Sequence, residues 1–161
     1  MRIIIISLLS LVLMSCGFSL RAPVQLSEDM QIIAITPDDP YRPWQRTVRE
    51  TLEFSGVNVT SDPTQSQMIL KLSPEEVIRT TYAVDTAGDV AQELLTYIVE
   101  FEAVDQEQNI LIPKQTIKTT RILYVHNNNL LSVDREQRTL TEDMRQEAAL
   151  QLMRRLAAYS P

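Results

Sequence analysis

Residues 94–125 read LLTYIVEFEAVDQEQNILIPKQTIKTTRILYV, and the first part of this stretch decides the fold. Leu95, Tyr97, Val99, Phe101 and Ala103 alternate with Thr96, Glu100 and Glu102. Successive side chains on a strand point to opposite faces, so this period of two predicts a strand with one greasy and one largely wet face. Asp105 to Asn109 reads as a polar turn, and Ile110 to Val125 returns as a second long strand. Pro113 has no backbone donor to give a ladder, so that returning strand is expected at an edge or with a bulge.

Working outward, the turn Asp85-Thr86-Ala87-Gly88-Asp89 leads back to a strand from Met68 to Val84 that is irregular near Pro74. Met30 to Ile35 is a further β-type run, closed by Thr36-Pro37-Asp38-Asp39-Pro40. Trp44, Val48 and Leu52 then share one helical face. Asp39 is the expected cap, Pro40 the first helical residue and Gly56 the left-handed stop, which predicts a helix from about Pro40 to Phe54. After an Asn127–Asn129 loop, Ser132 is the expected cap of a last helix. Val133, Leu140, Met144, Ala148, Leu152, Leu156 and Tyr159 recur there at multiples of three and four. Asp134 and Glu136 near its start and Arg154 and Arg155 near its end suit the helix dipole. The predicted order is β-α-β-β-β-α, an α+β domain in which a four-stranded, mostly antiparallel sheet carries two helices on one face.

The amino-terminus differs from everything after it. Arg2 precedes Ile3 to Leu13, a run of 11 residues that is apolar but for Ser7 and Ser10. That is the layout of a secretory signal peptide, and it falls short of the roughly 20 residues needed to cross a bilayer. A buried amino-terminal helix or strand is the other reading of the same run. Leu13-Met14-Ser15-Cys16 resembles the bacterial lipobox, in which the Cys sulfur receives a diacylglycerol, the chain is cut before the Cys, and the new amino group is acylated. Cys16 is therefore the expected lipidation site, and acyl chains on one residue bind at about 0.8 kcal/mol per buried CH₂. Gly17 stands where Asp would be the inner-membrane retention signal, so the resemblance implies sorting to the outer membrane of a Gram-negative bacterium. The expected organisation is a signal peptide at 1–15, a lipidated tether at 16–28 and a single α+β domain at 29–161.

Composition narrows the chemistry. The chain of 161 residues is 44% hydrophobic and 22% charged, ordinary for one globular domain. Cleavage before Cys16 removes only Arg2 among the charged residues, leaving 14 basic against 21 acidic groups and a net charge of −7 with His126 neutral. Long-range attraction to nucleic acid is not expected from such a chain. One Cys cannot close an internal disulfide, and one His cannot build a Cys/His metal site. His126 adjoins an Asn-rich loop without a Gly-x-Ser-x-Gly elbow, and reads as an exposed loop residue. Glu75-Glu76 and Glu142-Asp143 are sequence neighbours whose side chains diverge, and they read as solvated faces. Three glycines, one beside Cys16, give no phosphate-cradling loop. No enzyme, cofactor or metal is expected.

Lys114, Lys118 and Arg121 are the candidate contacts for an anionic lipid, although a period of two puts Arg121 on the face opposite the two lysines unless a bulge intervenes. Arg145, Arg154 and Arg155 read as dipole and solvent partners.

Taken together the residues resemble the LptE family of lipopolysaccharide-assembly lipoproteins. The match begins at Cys16-Gly17-Phe18-x-Leu20-Arg21 and continues through Asp39-Pro40, Arg46-x-Val48-Arg49-x-x-Leu52 and Gly56-Val57. Arg121-x-x-Tyr124 follows, and Met144-Arg145-x-x-Ala148-x-x-Gln151-Leu152-x-Arg154-Arg155-Leu156 fills the last helix. The resemblance implies an outer-membrane lipoprotein that plugs the β-barrel LptD, helps assemble it, and serves delivery of lipopolysaccharide to the outer leaflet. It also makes lipopolysaccharide a possible direct ligand of Lys114, Lys118 and Arg121, and exposed Leu130 and Leu131 possible partner contacts. The turn Asp85 to Asp89 is acidic at both ends where family members can be basic. Two other readings stand beside it: an auxiliary lipoprotein of another envelope lipid transporter, and a lipid-anchored hydrolase using His126.

Overall fold

A computed structural model describes residues 30–125 and 130–159, with Leu130 described by its backbone only. The expected signal peptide, the tether with Cys16, and His126 with the Asn127–Asn129 loop lie outside the described residues. The elements are β1 (Ile32–Thr36), α1 (Pro43–Phe54), β2 (Asn58–Thr60), β3 (Met68–Leu72), β4 (Glu76–Val84), β5 (Val90–Val104), β6 (Ile110–Tyr124) and α2 (Leu130–Ala157).

The sheet has six strands where four were expected, so the order β-α-β-β-β-α is corrected to β-α-β-β-β-β-β-α. Two features account for the difference. Asn58–Thr60 is only three residues long, too short for any alternation to show, yet it pairs parallel with β1. The strand expected from Met68 to Val84 is divided at Pro74 into β3 and β4, and both halves pair antiparallel with the same long strand, β5. Ser73 bridges the interruption. Its N–H donates to the Glu100 carbonyl (2.9 Å) and its Oγ accepts from the Glu100 N–H (2.7 Å), standing in for a ladder carbonyl. β1 is parallel to β2 and β3, whereas β5 is antiparallel to β3, β4 and β6.

The alternation along β5 is what places the core. Leu95, Tyr97, Val99, Phe101 and Ala103 are buried and join Ile33, Ile35, Leu70 and Ile117 from neighbouring strands in one apolar cluster. Trp44, Val48 and Leu52 of α1 and Met144, Ala148, Leu152 and Leu156 of α2 close the same cluster, so both helices lie on one face. Trp44 meets Tyr97 edge-on with ring centroids 6.3 Å apart, a favoured aromatic geometry. The opposite face holds a small buried group, Ala34, Ile69 and Val104. Gln106 reaches from the β5–β6 turn to the carbonyls of Thr64 (2.9 Å) and Ser66 (2.8 Å), tying that turn to the segment before β3. In β6 the register to β5 shifts between the Phe101–Gln115 and Ala103–Ile112 pairs, a bulge in the segment that contains Pro113 on an edge strand.

α1 begins at Pro43 rather than Pro40, because the Asp39 carboxylate is committed one turn earlier, to the Tyr41 N–H and the Arg42 Nε, both at 3.0 Å. It ends as expected. Gly56 has φ +87°, its N–H bonds the Glu53 carbonyl (3.0 Å) and the Val57 N–H bonds that of Leu52 (3.1 Å), a Schellman stop. α2 begins at Leu130, so Ser132 sits inside its first turn rather than capping it.

Candidate interaction surface

The helix-free face of the sheet and its edges carry the candidate basic residues, and the registers fix which side chains lie there. Lys114 lies on this open face, exposed, with its Nζ 2.5 Å from Glu100. Lys118 lies opposite Ile98 on the same face, exposed and in no ion pair with a described residue. Arg121 is opposite buried Leu95 on the helix-covered face, where it bonds Glu147 of α2 (2.5 Å) and the Thr120 carbonyl (2.9 Å). The β6 bulge lies before Lys118, so the lysines and Arg121 stay on opposite faces and do not form one cationic site. Leu131 is 74% exposed in the first turn of α2.

At the β3–β4 break a shallow open-face cleft of about 270 Å³ is lined by Lys71, Leu72, Ser73, Glu100, Phe101, Glu102 and Lys114. Lys71 pairs with Glu102 (3.5 Å) and Lys114 with Glu100, so its four charges cancel in pairs. That leaves Lys118 as the open-face cation of the candidate set with no carboxylate partner among the described residues.

The break at Pro74 also produces a feature that local sequence reading assigned wrongly. Glu75 turns inward under α2, where Arg145 grips it through Nε (2.8 Å) and Nη2 (3.0 Å), and the Tyr97 hydroxyl donates to the same carboxylate (2.8 Å). Glu142, one turn earlier on α2, makes a short contact to the Arg145 Nη1. Arg145 is thus 7% exposed rather than a solvent partner, and Glu75 is half-buried while adjacent Glu76 is exposed. Burial, followed by the charge and hydrogen bond of Glu75, pushes the Tyr97 phenol above its ordinary value, so it remains a donor. Burial works to lower the Arg145 pKa, but the Glu75 hydrogen bond and the charges of Glu75 and Glu142 outweigh it and hold the guanidinium above its usual range. With Arg145 paired to both Glu75 and Glu142, this cluster fastens α2 to the sheet break. Among the described residues no group of His, Cys, Asp and Glu is placed to hold a metal ion.

The frame that carries these surfaces is an α+β domain, a mixed sheet backed on one face by two helices. The same fold occurs in rare lipoprotein B from Shewanella oneidensis (TM-score 0.69, 24% identity, covering 79% of this chain and 94% of that one). It occurs again in lipoprotein B from Nitrosomonas europaea (TM-score 0.74, 23% identity, 89% and 92% covered). In sequence the chain is 28% identical over 153 residues to the LPS-assembly lipoprotein LptE of Photorhabdus laumondii, covering 95% of this chain and 83% of that relative. It is 27% identical over 154 residues to that of Pectobacterium atrosepticum, with 95% and 83% covered. The family model for LptE, Lipopolysaccharide-assembly, matches residues 30–156. The chain belongs to the LptE family.

Proposed function

We propose that this chain is a non-enzymatic lipoprotein of lipopolysaccharide assembly, anchored at the outer membrane through Cys16, that plugs and helps assemble the β-barrel LptD. The observation that carries this reading is the reach of the family match, residues 30–156, which takes in every strand and almost all of α2. The Leu13-Met14-Ser15-Cys16 sequence supports the anchor, with residues 1–15 removed as signal peptide and 16–28 serving as tether. In a barrel lumen the domain meets a partner on several sides, and Leu131 is one of the exposed apolar residues available for that contact. Lys118 is the basic group best placed for a lipopolysaccharide phosphate, since Lys114 and Arg121 already hold Glu100 and Glu147.

The test is a mild-detergent pull-down of the tagged, lipidated chain. Stoichiometric recovery of a large outer-membrane β-barrel is the expected result. Recovery of an inner-membrane transporter without a barrel overturns the plug and favours an auxiliary lipoprotein of another lipid-transport system.

A further inference from the structure

The outer strands β4 and β6 differ in how their edges are defended. β6 carries Pro113, a bulge, and Lys114 and Lys118, devices that discourage another strand from adding to an edge. β4 has neither the proline nor the lysines, and its own register irregularity begins only after Thr81, toward its Val84 end, leaving Glu76 to Thr81 regular. Among the described residues it is laddered only to β5, and neither proline nor lysine occurs between Glu76 and Val84. Seven of its nine residues are exposed. Its one cation, Arg79, is turned away to Glu93 and Gln137. Half of the backbone N–H and C=O groups of such a strand face outward with no ladder partner among the described residues, and the chemistry that satisfies them in register is another extended backbone.

We propose that the outer edge of β4 is a strand-addition site whose occupant is an extended segment of the barrel partner, an inference that rests on the plug reading above. The side chains along the edge define that segment. Ile78 and Thr80 flank the open face at its centre, calling for threonine or β-branched aliphatic neighbours. Glu76 at one end and Asp85 and Asp89 beyond the other call for basic residues at the flanks of the incoming strand. The same charges argue against a second copy of this chain. Antiparallel self-pairing centred on Thr80 sets Glu76 of each copy beside Val84 and Asp85 of the other, repeating a like-charge clash at both ends.

The test is a proline scan over Ile78, Arg79, Thr80 and Thr81 in the full lipidated chain, scored by recovered barrel and by thermal stability. N–H groups alternate between β5 and the free edge, so one alternating pair of prolines removes only outward donors. That pair is expected to keep the stability of the unaltered chain and lose about tenfold in barrel recovery. If the pair that preserves stability also preserves barrel recovery, the strand-addition site is overturned while the plug reading stands. If the unaltered chain brings down no barrel, the plug reading itself has failed. A photo-crosslinking residue at Thr80 gives a readout independent of proline. Its expected product joins one extended segment of the barrel, and a product confined to this chain, a second copy or lipopolysaccharide overturns the site.

Discussion

Replacing Arg145 by Met keeps the length and apolar stem of the side chain and removes its charge, which isolates the contribution of the cluster at the β3–β4 break. Arg145 makes two hydrogen bonds to Glu75, at 2.8 and 3.0 Å, and a third to Glu142. Removing one partner of a fully buried ion pair costs about 3–5 kcal/mol, chiefly because the other charge is stranded. Here the side chain of Glu75 is 23% exposed and retains the Tyr97 hydroxyl, and that of Glu142 is 46% exposed, so part of the loss is recovered by water. Arg145→Met is therefore expected to destabilise the domain by about 2–4 kcal/mol. Glu75→Gln leaves Arg145 with Glu142 and should cost about 1–3 kcal/mol, and the double variant should cost less than the sum by about 1–3 kcal/mol. Equilibrium urea unfolding followed by fluorescence suits the measurement, because the chain has one tryptophan, Trp44, 1% exposed and packed on Tyr97. An Arg145→Met variant within about 0.5 kcal/mol of the parent, or additive effects in the double variant, would refute the fastener.

Tyr97 carries a phenol whose folded-state pKa is raised, so its share of stability is complete below the unfolded value of about 10 and is lost as pH climbs above it. Tyr97→Phe should flatten the fall in stability between about pH 10 and 11.5, and an unchanged slope in urea midpoints would contradict this. Ser73→Ala leaves the Glu100 N–H without its acceptor and should cost about 1 kcal/mol, with amide exchange at Glu100 accelerating more than at Val99. Gly56→Ala meets no atom within 4 Å but must hold φ +87°, so a loss of about 1 kcal/mol is expected from backbone strain alone. Cys16→Ala should abolish incorporation of labelled palmitate while leaving the thermal unfolding of the domain unchanged, and palmitate label on the variant would contradict the anchor assignment.

What could be read from the sequence follows how local each signal is. The alternation from Leu95 to Ala103 identifies β5 and its buried face because the strand reports its own environment every second residue. Gly56 and the spacing of Trp44, Val48 and Leu52 identify α1 for the same reason, while its start slipped to Pro43 because Asp39 chose nearer donors. β2 gave no such signal, being three residues held by a parallel ladder to β1. Pro74 announced a disturbance but could not say that both flanking segments would remain on β5, since Ser73 repairs the ladder with a side chain. The pairing of Glu75 with Arg145 spans 70 residues, so neither position betrays it. One clue was present on α2: Arg145 lies seven residues before Leu152, on the shoulder of the apolar stripe rather than behind it.

The proposed lipid anchor and the proposed β4 docking edge address different parts of one problem. Cys16 and Met30 are 14 residues apart, so the segment between them spans at most about 50 Å, and the proposed anchor at Cys16 would limit the domain's distance from a membrane without setting its orientation. An anchor of that kind raises the local concentration of the domain around any membrane partner, which converts later docking into an intramolecular step. Orientation must then come from surfaces on the domain itself. The chain enters beside β1, near the Val104 end of β5, while the β4–β5 turn lies at the other end of a 15-residue strand, about 45 Å away. A directional backbone ladder at β4, well away from the entry point, would set the register of the domain on its partner in a way that an anchor at a single residue cannot. Lengthening the tether should therefore leave the docked geometry unchanged, whereas altering the β4 edge should change it even when lipidation is complete.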